Sequence, residues 1–200
     1  MFVAEFGCGR MRYEIRIAGL GGQGIVLLGV VLAKAIASNE KLHVVQTQSY
    51  GPESRGGAVR ADLIVSNEPV DYPKVRQADV LVAMSQSAFD AYLSNLKETG
   101  TAIIDPSLVT PETERSDITV KEVNATKKAA EFGKGLLANM IMLGALHDHI
   151  INLASKESII KALKETVPDE NLSDDVKAVE AGWKLGAVES KWPKSSSNRN

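Results

Sequence analysis

One cysteine, Cys8, is all the chain has, which excludes an internal disulfide and any all-cysteine cage around zinc or an iron–sulfur cluster. With no thiol pair to oxidise, a reducing, cytoplasmic setting is expected. Neither sign of charge dominates: 23 basic and 25 acidic residues leave −2, so no overall field draws the protein to nucleic acid or anionic lipid. The longest apolar run falls short of the roughly 20 residues that cross a bilayer. No N-terminal stretch has the basic, apolar and small-residue order of a secretion signal, and no internal repeat is visible. A soluble protein without a membrane span is expected.

Apolar residues, in contrast, are plentiful. A hydrophobic content of 44% over 200 residues suffices for one buried core, and no second domain is required. Residues 1–10, MFVAEFGCGR, precede a second methionine and are expected to be a flexible leader or an upstream start. The chain end, residues 189–200, mixes serine, proline and basic residues and is expected to be a disordered tail. Between them, residues 11–188 are expected to form a single domain.

Tyr13 to Ala18 reads as a first strand, and a glycine turn separates it from a helix over 23–38. Further strands are expected at 42–47, 58–66, 78–83, 101–104 and 118–123. The segment ADVLVA, 78–83, is apolar almost throughout, as in a central strand covered on both faces. Ser85 stands where it can cap a helix running to about Leu96. Later helices are expected over 126–132, 136–152, 156–166 behind Ser155, and 174–185 behind Ser173. This alternation predicts an α/β, Rossmann-like fold: a mostly parallel, doubly wound sheet with additional C-terminal helices.

Gly19, Gly21 and Gly24 fit G-x-G-x-x-G after a strand and at the opening of a helix. There the first glycine makes the tight turn, the second admits an anion to the backbone, and the third lets helix and strand pack closely. The helix N-terminus then offers N–H groups to a phosphate or carboxylate, with Gly22 adding freedom and Gln23 a neutral hydrogen-bonding group. A nicotinamide nucleotide site also needs an acid at the end of the second strand for the ribose hydroxyls. That end reads VVQTQS, and Glu40 precedes the strand, on the wrong edge. A compact or anion-binding turn fits better.

A second motif follows strand two: QSYGPESRGGAVRAD, 48–62. Gly51-Pro52 forces a turn, and Gly56-Gly57 allows positive φ or close backbone approach. A loop after a parallel strand leaves the carboxyl edge, so both glycine segments should face one crevice. The candidate binding residues are Gly19, Gly21, Gly22, Gln23, Gly24, Tyr50, Gly51, Ser54, Arg55, Gly56 and Gly57. Arg55 can offer its planar fork to a phosphate or carboxylate, or pair internally with Glu53.

LLANMIMLGAL, 136–146, carries only Asn139 as a strongly polar residue, so this helix has no obvious solvent face. It is either a central helix or an interface helix. His147 and His149 lie two apart, point in different directions on a helix, and are expected at a helix end or surface instead of on a metal. His43 is expected to be structural or exposed, and Asp105-Pro106 to end a strand near the crevice. No Ser/His/Asp or Cys/His constellation can be assembled, so no catalytic or metal residue is assigned.

Taken together, GLGGQG, SYGPESRGG, ADVLVAMSQSAFDAY and NMIMLGAL resemble the gamma subunit of 2-oxoacid:ferredoxin oxidoreductases, most of all the 2-oxoglutarate:ferredoxin (acceptor) type. The resemblance runs from about Met11 to Gly186. It implies a part in oxidising a 2-oxoacid with coenzyme A to an acyl-CoA, carbon dioxide and electrons for a ferredoxin or other acceptor. It also implies that thiamine diphosphate, Mg2+ and the iron–sulfur clusters belong to alpha, beta and ferredoxin-like delta partners. The chain itself has no GDG-led thiamine motif and is expected to bind no cofactor and to be inactive alone, free or as a homodimer. Its implied role is assembly and coenzyme A access, the glycine crevice facing either coenzyme A phosphates or a partner. The competing readings are a stand-alone NAD(P)-binding reductase and a nucleotide-sensing module.

Overall fold

A computed structural model describes residues 10–51, 57–186 and 188–189. In chain order the elements are β1 (Arg12–Leu20), α1 (Ile25–Ala37), β2 (His43–Tyr50), β3 (Ala58–Ser66), β4 (Ala78–Ala83), α2 (Gln86–Tyr92), β5 (Leu96–Ile104), β6 (Thr119–Glu122), α3 (Ala125–Glu131), α4 (Ala138–Ile150), α5 (Lys156–Lys164), α6 (Asp169–Leu185) and β7 (Val188–Glu189). The leader, apart from Arg10, and the tail beyond Glu189 lie outside the described residues.

Period-two alternation in β1 sends Ile15 and Ile17 into one core and Ala18 into another, as expected of a strand covered on both faces. The larger core joins one face of the sheet to α1, α4, α5 and α6; the smaller lies under α2 on the other face. Each large apolar side chain buried in these layers stabilises the fold by about 1.5–3 kcal/mol.

The sheet order is β2-β3-β1-β4-β5-β6-β7. β1, β4, β5 and β6 are parallel neighbours, while β3 is antiparallel to both β1 and β2, and β7 is antiparallel to β6. The mostly parallel, doubly wound α/β expectation holds. However, β2 and β3 form a hairpin instead of being joined by a crossover, and β3 takes the place beside β1.

Two helix starts follow their sequence signals. Ser85 accepts the Ala88 N–H at 3.2 Å, and Ser155 accepts the Ser158 N–H at 3.2 Å. The last helix departs from expectation. It begins at Asp169 behind Pro168, with Asp169 and Glu170 in its first turn, so Ser173 lies inside it. β5 starts earlier than the apolar run suggests, at Leu96, with Thr99 at φ 64 and a register shift opposite β4.

Candidate functional site

The chain leaves β1 for a helix on one face and leaves β4 for a helix on the other, so the sheet has a topological switch point between these adjacent strands. A crevice outside the carboxyl ends of strands is where such sheets bind ligands. The GLGGQG turn stands at this point. A Cβ on Gly19 would overlap the Gln23 side chain and reach Ile25 at 2.8 Å. Gly24 takes φ 72 as the residue before α1, with the Asn139 side chain pressed against it. Gly22 takes φ 94, and a Cβ there would point into open space.

Gln23 spans the switch point. Its Oε1 accepts the Leu20 N–H at 2.7 Å, and its Nε2 donates to the Met84 carbonyl at 2.7 Å, tying the turn to the end of β4. The first helical bond of α1 runs from the Leu28 N–H to the Gly24 carbonyl at 3.0 Å. The N–H groups of Ile25, Val26 and Leu27 therefore belong to the first turn, which has no helical carbonyl to offer them, and mark the positive end of the helix dipole.

The second motif meets the first. Tyr50 pairs with Val59, Leu20 with Ala58, and the Gly21 N–H donates to the Gly57 carbonyl at 2.9 Å. Gly51 N–H closes its side of the hairpin on the Ala58 carbonyl at 2.7 Å. Of the candidate binding residues, Gly19, Gly21, Gly22, Gln23, Gly24, Tyr50, Gly51 and Gly57 thus share one rim; Ser54, Arg55 and Gly56 lie outside the described residues. Because β3 separates β2 from β1, the end of β2 is displaced from where a ribose-binding acid stands in a dinucleotide fold. Glu40 lies in the turn between α1 and β2, at the far edge.

α4 closes the third side. Asn139, 4% exposed, donates from Nδ2 to the Gly24 carbonyl at 3.3 Å and accepts the Met140 N–H at 2.8 Å. α4 is buried from Ala138 to His147, as its composition predicts. Leu136 is the exception, at 78% exposure, in a separate 3-10 turn over residues 135–137 whose Leu137 is buried. Leu20 and Tyr50 are exposed as well.

Several polar residues prove structural. Asp105, fully buried, accepts the Ser107 N–H at 2.9 Å and the Thr126 N–H at 2.6 Å, so its carboxylate caps α3 and is not free for the crevice. His147 lies in the last turn of α4, at the helix end as expected, but it is buried: it packs edge-on to Trp183 at 6.2 Å, and burial lowers its pKa. His149 is half-buried, and burial with nearby Lys121 lowers its pKa to about 4. His43 is exposed. Among the described residues no three His, Cys, Asp or Glu side chains cluster as metal ligands, and no helix is long and apolar enough to cross a membrane.

Sequence reading missed a buried ion pair on the α2 side of the sheet. Arg16 grips Asp62 in a fork at 2.8 and 3.0 Å, and Arg60 reaches the same carboxylate at 3.2 Å. Both guanidinium groups lie over the Tyr92 ring, at 4.8 and 5.5 Å. The available signal was the shared face of Arg60 and Asp62 in an otherwise apolar strand. Asn139 was visible as an isolated polar residue, but its contact with Gly24 joins positions far apart in sequence.

Comparison with known proteins agrees with this geometry. The pyruvate ferredoxin/flavodoxin oxidoreductase family model matches residues 14–185. The 2-oxoglutarate synthase subunit KorC of Methanocaldococcus jannaschii is 43% identical over 88% of this chain and 95% of its own. The same-named subunit of Methanothermobacter marburgensis is 44% identical over 88% of this chain and 97% of its own. The keto/oxoacid ferredoxin oxidoreductase gamma subunit of Geobacter sulfurreducens superposes with a TM-score of 0.77 and 36% identity, over 88% of this chain and 96% of that one. The chain belongs to the pyruvate ferredoxin/flavodoxin oxidoreductase family, among its gamma-type subunits.

Proposed function

We propose that this chain is the gamma subunit of a thiamine-dependent 2-oxoglutarate:ferredoxin (acceptor) oxidoreductase, a single gamma-type domain over residues 11–188. Its partners are alpha and beta chains and a ferredoxin-like delta chain. The complex converts 2-oxoglutarate and coenzyme A to succinyl-CoA and carbon dioxide, passing two electrons to the acceptor. Thiamine diphosphate, Mg2+ and the clusters stay with the partners. The single observation that carries the reading of the site is the 2.9 Å bond between Gly21 and Gly57, which makes the two glycine segments one rim at the switch point.

On this reading the α1 N-terminus faces the phosphates of coenzyme A, while the Gly21 and Gln23 N–H groups of the turn are bound to the Gly57 and Leu20 carbonyls and hold its shape. Exposed Leu20, Tyr50 and Leu136 around them meet a partner chain. The displaced end of β2 argues against NAD(P). The test is reconstitution with the alpha, beta and delta chains. Dye or ferredoxin reduction that requires 2-oxoglutarate, coenzyme A and this chain together supports the assignment; a chain that never joins those partners, or reduces an acceptor with NAD(P)H alone, contradicts it.

A further inference from the structure

We infer that Asn139 is a positioning residue for the glycine turn, setting the coenzyme A affinity of the assembled enzyme without touching the reacting atoms. The inference rests on the proposed function of that turn. Three observations lead to it. Gly24 is at once in the left-handed region, at φ 72, and in contact with Asn139, so the turn that opens α1 is shaped against this side chain. The amide is divided between two helix starts: Nδ2 donates to the Gly24 carbonyl at 3.3 Å and Oδ1 accepts the Met140 N–H at 2.8 Å. Finally, Asn139 is 4% exposed within a helix that is otherwise apolar around it.

A buried amide in such surroundings is retained at a cost unless its bonds are made, and here they fix one helix N-terminus against another. α4 cannot shift to release it, because the helix is pinned further along where Gly144 lies on α6. The turn is therefore held from two sides: Gln23 ties it to β4, and Asn139 ties it to α4. Gln23 fixes the residues before the helix; Asn139 fixes the carbonyl from which the helix begins. The direction in which the Ile25 to Leu27 N–H groups point follows from both.

The experiment uses the reconstituted complex carrying Asn139→Ala or Asn139→Leu, the second keeping the volume while removing both bonds. The expected result is a KM for coenzyme A raised about tenfold, with kcat and the KM for 2-oxoglutarate within about twofold of the parent. A purely structural role would lower kcat and the yield of complex while leaving both KM values in place, and that result, or failure of both variants to assemble, overturns the inference. Gly22→Asp is measured alongside. If it raises the coenzyme A KM while neither Asn139 variant does, the positioning role falls and the proposed site stands; if none of the three moves it, the reading of the site falls as well.

Discussion

Gly144 of α4 and Gly182 of α6 face each other where the two helices cross, so close that a Cβ on either would overlap a backbone carbonyl of the opposite helix, that of Val179 or Ile141. No side chain separates the helices at this point, and the contact is backbone on backbone. Gly144→Ala or Gly182→Ala must push the helices apart, at a cost of about 1–3 kcal/mol or more from overpacking. Urea unfolding of each variant should show the midpoint falling with little change in slope, and unchanged midpoints would show that the crossing is loose.

The Arg16 and Asp62 pair is 4% and 5% exposed. Removing one partner strands the other charge, so Arg16→Met alone or Asp62→Leu alone should cost about 3–5 kcal/mol, whereas the double variant should recover a large part of that loss. Arg60, which also reaches Asp62, holds part of the carboxylate's charge in the Arg16→Met protein, so that variant should lose less than Asp62→Leu. Losses that simply add in the double variant would contradict a coupled pair.

His149 is held to about 4, well below its ordinary 6.5, because burial and Lys121 disfavour its charged form; His147 is lowered by burial. The folded protein keeps both neutral while the unfolded chain takes up protons, so stability present above about 6.5 is lost as pH falls toward 4. Thermal midpoints recorded from neutral to mildly acidic pH should fall, and the fall should be shallower in His149→Gln. An equal slope in that variant would place the effect elsewhere.

Leu136 is 78% exposed, so Leu136→Glu should leave the unfolding midpoint of the isolated chain within the roughly 0.5 kcal/mol typical of surface changes. Recovery of the partner chains in a pull-down should nevertheless drop. Undiminished recovery would remove this residue from the proposed partner surface.

Local physics carried much of the fold into the sequence. The bounds of β3 and β4 follow from their composition, and Ser85 and Ser155 mark their helices because a side-chain oxygen at that place has one obvious use. The convergence of the two glycine segments was also legible, although the route differs: β2 and β3 are joined as a hairpin, and the Gly21 to Gly57 bond supplies the contact. Residues acting at long range were not legible. Asn139 meets Gly24 and Arg16 meets Asp62 only once the sheet order is known. The start of α6 was misplaced because Ser173 resembles a cap, while the acidic first turn behind Pro168 is the stronger signal.

The central claim is that the glycine turn receives the negative charge of coenzyme A, and Gly22 offers the most direct test because its Cβ position is open and the strain that a side chain meets at its φ of 94 is shared by Asn and Asp. In the reconstituted complex, Gly22→Asn and Gly22→Asp differ at that point by one charge alone. The account predicts that the Asp variant has a KM for coenzyme A about tenfold above that of the Asn variant at low salt, with the gap narrowing as salt rises. Equal KM values for the two variants would contradict it.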